Sequence, residues 1–263
     1  MTKPIRIGCV PYMNARPLIY GLEELQNVEL RYATPRVLSR MLEDGEVDIA
    51  MLSSITLFQN PGYSFVSDAV IASRGPVRSI LLITNKPLGE VERVGLDWNS
   101  LTSAGLLRII LASKYGLSPV FGPYDPEKPG AGDAYDAVLV IGDNALTAEP
   151  QGGAVLDLGA EWFGLTGLPF VYACWIAKNR GNVGEIERVL AGAREKGLEN
   201  IEEIIKTSSA ESGLPEEIVR TYFEKNVHFT LTAEELSGLN RFGRYLFDMG
   251  QVHSRREISI EGT

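Results

Sequence analysis

The stretch Ile5-Arg6-Ile7-Gly8-Cys9-Val10-Pro11-Tyr12-Met13-Asn14-Ala15-Arg16-Pro17-Leu18 constrains the fold more than any other. Ile5 to Val10 is a short apolar run and reads as a buried strand. Pro11 ends it, because proline has no N–H to give to a ladder. Pro17 suits the first turn of a helix. A polar loop therefore joins a central strand to a helix, at the edge where open α/β sheets bind ligands. The next residues repeat the pattern. Val28 to Tyr32 is a strand, and Thr34-Pro35 opens a helix with Val37, Leu38, Met41 and Leu42 on one face. Gly45 closes that helix, and Val47 to Leu52 is a strand running into Ser53-Ser54. Strand, helix, strand in this order implies parallel pairing.

Further strands are expected at Phe65–Ala72, Ile80–Ile83, Val91–Leu96, Ala137–Ile141, Val155–Gly159 and Phe170–Lys178. A helix carries Leu106, Leu107, Ile110 and Leu111 and stops at Gly116. Residues 117–134 read as loop with at most a short strand, and Glu161–Leu168 as a Gly-rich loop. After residue 178 the periodicity is helical, with Thr232 and Glu235 spaced as a capping box. We expect an α/β, two-lobed, periplasmic-binding-protein-like fold of type 2. Its sheets should be mostly parallel, with an interlobe cleft and the C-terminal helices packed on the first lobe. Residues 1–84 and 175–263 would form lobe 1, and residues 85–174 lobe 2.

A formal net charge of −9 argues against a nucleic-acid backbone or an anionic membrane as partner. No apolar run is long enough to span a bilayer and no signal peptide is evident, so a cytoplasmic protein is expected. Cys9 and Cys174 lie in strand-like runs, as buried thiols of a reducing compartment would. With only His228 and His253, and no Cys/His cluster, neither a catalytic metal nor a histidine triad is expected. No phosphate-loop or dinucleotide fingerprint is present.

Small polar groups stand at successive strand-to-loop junctions: Asn14; Ser53 and Ser54; Ser79; Ser100, Thr102 and Ser103; then Gly142, Asp143 and Asn144. Each Ser or Thr alone is an ordinary helix cap, but the set should fall on one edge of the sheets. Such donors suit a carboxylate ligand. Tyr12 and Arg16 flank Asn14 and are candidate ligand contacts, Arg16 being equally a solvated charge. Arg74 and Arg78 read as exposed turn charges. Trp98, Trp162 and Phe163 are candidate pocket walls, and Trp175 a core residue. Asp48 and Asp143 suggest capping or turn roles more than acid–base chemistry.

Six blocks carry a resemblance: Val10–Leu18, Val47–Ser54, Arg78–Leu82, Leu96–Ser103, Ile141–Leu146 and Thr166–Phe170. In order and spacing they resemble the chorismate dehydratase family of menaquinone biosynthesis. Met13 and Ala15 stand where leucine and threonine are usual. The resemblance implies the two-lobed fold, a cytoplasmic enzyme, no metal or organic cofactor, and loss of water from chorismate. It also implies catalytic roles for Asn14 and Ser79. The chemistry is compatible with these groups. Removing the ring C3 proton gives an enolate extended onto the ring carboxylate, and departure of the C4 hydroxyl aromatises the ring. Orientation and anion stabilisation then matter more than a strong base, and the enolpyruvyl carboxylate of the substrate is a candidate base. The other readings are a carboxylate-binding protein without chemistry, the 1,4-dihydroxy-6-naphthoate synthase of the same route, and a ligand-sensing domain. Either a monomer or a homodimer is compatible.

Overall fold

The computed structural model describes residues 3–97, 101–126, 128–148, 152–178 and 183–259. Strand β1 (Ile5–Cys9) leads through a 3-10 turn (Met13–Ala15) into helix α1 (Arg16–Ile19), then to β2 (Val28–Tyr32), α2 (Pro35–Glu43) and β3 (Ile49–Ser53). β1 pairs in parallel with both β2 and β3, as the alternating pattern requires. Pro35 takes the first helical position of α2, while the Thr34 hydroxyl makes no cap bond. The preset φ of proline therefore starts this helix more than the threonine does.

Next come α3 (Ile55–Gln59), β4 (Ser64–Ser73), β5 (Ile80–Thr84), β6 (Arg93–Asp97), α4 (Leu101–Tyr115), β7 (Val120–Tyr124) and β8 (Ala137–Ile141). They are followed by α5 (Asp143–Leu146), β9 (Val155–Asp157), α6 (Leu158–Thr166) and β10 (Phe170–Ala177). The C-terminal part holds α7 (Val183–Glu199), α8 (Ile201–Ser212), α9 (Glu216–Thr221), a π-turn (Tyr222–Asn226), β11 (His228–Thr230) and α10 (Ala233–Asp248).

The strands form two sheets, ordered β11-β4-β10-β3-β1-β2 and β7-β6-β8-β5-β9. Both are mixed, which corrects the expectation of mostly parallel sheets. β10 runs antiparallel to β3 and β4, and β5 antiparallel to β8 and β9. The cause is topological: the chain leaves the first sheet after β4 and returns to it in β10, so the strands flanking the passages reverse direction. Because β5 belongs to the second sheet and the whole of β10 to the first, we draw the crossings at residues 74–79 and 158–169. They do not fall at the 84/85 and 174/175 boundaries expected from sequence.

Residues 161–168, expected to be loop, lie mostly in α6. The Asp157 carboxylate caps it by accepting from the Gly159 and Ala160 N–H groups, each at 3.0 Å, and Gly167 ends it in the left-handed region. Gly159 and Gly164, poor helix formers, obscured this short helix in the sequence. The same carboxylate accepts from the Val77 N–H (3.0 Å) and the Arg78 N–H (2.7 Å) on the other crossing. One side chain thus ties both crossings together. Arg78 has φ 63°, the one positive value at a non-glycine among the described residues, and Ser79 follows it.

The C-terminal helices pack as expected, α7 on β4 and α1, and α10 on β10. α10 also reaches α4 of the second lobe. The Thr232–Glu235 capping box forms. Trp162 is fully buried against Phe170, Phe242 and Tyr245, and its indole N–H donates to the Pro169 carbonyl. It is therefore core and not pocket wall. Trp175 is buried in β10 as expected, and Trp98 lies outside the described residues. Arg74 pairs with Glu234 and lies over the Phe163 ring. Asp48 accepts from the Arg6 backbone and guanidinium, a structural role.

Candidate active site

The strand-to-helix junctions of both sheets open onto one cavity of about 370 Å³. From the first lobe, Tyr12 and Asn14 come from the turn after β1, and Ser53 from the last position of β3. Ser79 stands on the first crossing. From the second lobe, Thr102 and Ser103 lie in the first turn of α4, while Gly142, Asp143 and Asn144 follow β8. Gly142 has φ 66°, a backbone that a side chain would strain, and this bend turns Asp143 and Asn144 to the cavity.

Three expected contacts are not among these residues. Ser54 is fully buried and its hydroxyl donates to the Val171 carbonyl at 2.7 Å, outside the cavity lining. Neighbours at a strand end face opposite ways, so Ser53 and Ser54 cannot both face the cavity. The Arg16 guanidinium pairs with Glu211 of α8 and lines a separate groove beside the cavity. Ser100 lies outside the described residues. Thr102 contributes in two ways: its hydroxyl oxygen accepts from the Ile55 N–H at 3.2 Å, binding the second lobe to α3 of the first.

The structure also adds residues that sequence reasoning passed over. Asp97, 5% exposed at the end of β6, lines the cavity, as do Tyr172 of β10 and Tyr222 of the C-terminal part. A carboxylate ending an apolar strand was a readable signal for Asp97. The tyrosines carried none, because each sits within an ordinary core pattern.

Among the described residues no lysine or arginine lines the cavity. Its polar groups are amides, hydroxyls and phenols, with Asp97 and Asp143. Burial pushes the Asp143 carboxyl above its usual range, and the Arg16 charge partly offsets this. Tyr12 is raised by burial and by Asp97. Tyr172 is held well above the ordinary phenol value by burial. Tyr222 is pushed up to about 12 by burial, against the pull of hydrogen bonds from Ser79 and Asn14. The phenols therefore remain protonated donors near neutral pH.

Cys9 is pushed up to about 12 and Cys174 is also raised, both by burial, so neither thiol is a ready nucleophile. His228 bonds Glu235 at 3.1 Å and His253 is exposed, and neither lines the cavity. Among the described residues no group of three or more His, Cys, Asp or Glu stands where it could hold a metal ion. No helix among them is long and apolar enough to cross a membrane. A cavity with neutral donors on both lobes is suited to orienting a small polyoxygenated anion and to stabilising charge that develops on it.

A family model described as menaquinone biosynthesis matches residues 5–248. Chorismate dehydratase of Thermus thermophilus is 29% identical over 265 residues, covering 93% of this chain and 96% of that protein. Among solved structures, a protein from Archaeoglobus fulgidus superposes with TM-score 0.74 at 16% identity, over 95% of this chain and 98% of its own. The periplasmic aliphatic sulphonate binding protein of Escherichia coli does so with TM-score 0.66 at 16% identity, over 98% and 96% of the two chains. Likenesses at such identity show the fold, which is that of the periplasmic binding proteins.

Proposed function

The chain belongs to the menaquinone-biosynthesis family, and from that premise we propose that it is a chorismate dehydratase, a hydro-lyase forming 3-[(1-carboxyvinyl)oxy]benzoate. The observation that carries this reading is the joining of Asn14, Ser53, Ser79, Thr102, Ser103 and Asn144 around one cavity, from two lobes. The Thermus thermophilus relative, named for this activity and matched over nearly the whole chain, supports it.

Chorismate brings two carboxylates, an ether oxygen and one hydroxyl. The neutral donors hold the carboxylates without quenching the carbanion chemistry. Loss of the C3 proton spreads charge onto the ring carboxylate, where preorganised donors stabilise it. Departure of the C4 hydroxyl with a proton, as water, then gives the aromatic ring. Asn14 and Ser79 are the groups we place against the reacting edge, with the other cavity residues fixing the pose. The C3 proton goes to the substrate's own enolpyruvyl carboxylate, and no cofactor takes part. A cytoplasmic enzyme acting as a monomer or homodimer fits this role.

Incubating the purified protein with chorismate tests the proposal. A new aromatic absorbance with a product lighter by one water is the expected result, and Ser79→Ala and Asn14→Ala should each abolish most of it. The fold shared with a sulphonate-binding protein favours a second reading, binding without chemistry. Tight chorismate binding with no product would establish that reading instead.

A further inference from the structure

The two residues assigned to catalysis come from distant parts of the chain, yet a third group joins them. Tyr222 opens the π-turn that ends α9, and it is 3% exposed at the cavity wall. An extra residue per turn in such a segment displaces side chains from the helical register, a device frequent at functional sites. The phenol oxygen of Tyr222 stands 3.1 Å from the Ser79 hydroxyl oxygen. Asn14 lines the same cavity.

Either oxygen of the Ser79–Tyr222 pair can be the donor, and both residues line the cavity. The bond fixes the rotation of the Ser79 hydroxyl, and the proton of the pair that is not used in it is left for a ligand. Beside them, Asn14 Oδ1 is buried with no hydrogen-bond partner among the described residues.

We propose that Tyr222 is a positioning residue for the dehydration. Its buried hydroxyl, bonded to Ser79, fixes the rotation of the Ser79 hydroxyl at the cavity, beside the unpartnered Asn14 Oδ1. The site thereby offers one donor and one acceptor a short distance apart. The C4 hydroxyl of chorismate suits the acceptor, and an oxygen gaining negative charge suits the donor. This inference rests on the dehydratase reading for its chemistry, though not for the Ser79–Tyr222 bond.

Steady-state kinetics of Tyr222→Phe, Ser79→Ala and the double variant test it, with thermal midpoints recorded beside them. Tyr222→Phe should lower kcat about 10- to 100-fold, somewhat less than losing a direct donor, with KM changed less than about threefold. The double variant should be no slower than Ser79→Ala alone, because Tyr222 acts through Ser79. Ser79→Ala leaves the buried phenol without its partner and should lower the midpoint by about 2–4 °C, and adding Tyr222→Phe should restore it. That thermal arm does not depend on activity. If wild type forms no aromatic product, the dehydratase reading fails, while the restored midpoint still supports the Ser79–Tyr222 bond. Multiplying losses in kcat, or a double variant less stable than Ser79→Ala, would overturn the proposal.

Discussion

Replacing Asp157 probes the junction that carries the two lobes. Its carboxylate accepts four backbone N–H groups, from Val77, Arg78, Gly159 and Ala160, at 2.7–3.0 Å. Asp157→Ala removes a helix cap, which costs about 1 kcal/mol. It also strands two donors on residues 77–78, where bonds to a charged acceptor contribute about 1 kcal/mol each once partial access to water is allowed for. The loss is about 3 kcal/mol in all, or a fall in Tm of about 6 °C for a chain of this size. Asp157→Asn is the informative control. Its amide oxygen can keep the three bonds of Oδ1, while its NH₂ meets the Arg78 N–H donor to donor. It should lose about half as much, roughly 1.5 kcal/mol. Calorimetry of the three proteins should therefore rank wild type, Asn, Ala. Equal midpoints for Asn and Ala, or an Ala variant within about 1 °C of wild type, would show that Asp157 does not hold the crossings. The same variants should lose more activity than stability, because Ser79 follows the residues that Asp157 holds.

A Cβ at Gly197 would lie 2.1 Å from the Pro17 carbonyl oxygen, so Gly197→Ala must push α7 away from α1. Overpacking costs about 1–3 kcal/mol, and chemical denaturation should read the upper end, because the obstacle is backbone. Asp97→Asn tests the source of the base: turnover within about tenfold of wild type is expected when the substrate supplies it, and retained binding with no turnover would assign the proton transfer to Asp97. For Glu235, burial pushes the carboxyl up, but hydrogen bonds from Thr232 outweigh it and the value is lowered. A lowered value in the folded state means stability present above the ordinary glutamate range and lost as pH falls through the folded value. Glu235→Gln should accordingly be less stable than wild type near pH 7, with the two denaturant midpoints converging as the pH falls below the ordinary glutamate range; a gap that stays constant would refute this role.

Much of the site was legible because strand ends announce themselves. Pro11, Gly142 and the serines at 53 and 79 break apolar runs, and the structure sets all of these junctions on the cavity, the first through Tyr12 and Asn14 rather than Pro11 itself. What the sequence hid depended on partners far away in the chain. Arg16 read equally as a ligand contact and as a solvated charge because its partner Glu211 is 195 positions distant. Tyr222 drew no notice in the sequence because its partner Ser79 lies 143 positions away. Ser54 was misjudged on a local matter, the alternation of faces at the end of β3. The mixed character of the sheets was unreadable for a further reason: strand patterns state burial, not direction, and direction here follows from two passages between lobes. α6 was hidden by its own glycines, although Asp157 before it and Gly167 after it mark its ends.

The absence of a lysine or arginine from the described cavity lining has a kinetic consequence. Most captors of dianions draw them in with a positive field, and salt slows their association. In this protein the net charge is −9, and the groups that grip the ligand are neutral dipoles whose influence ends at contact. Added salt, which shortens the reach of charge to about 10 Å at 0.1 M, therefore masks a repulsion in place of an attraction. Substrate capture should quicken as ionic strength rises, while the lifetime of the bound complex stays nearly constant.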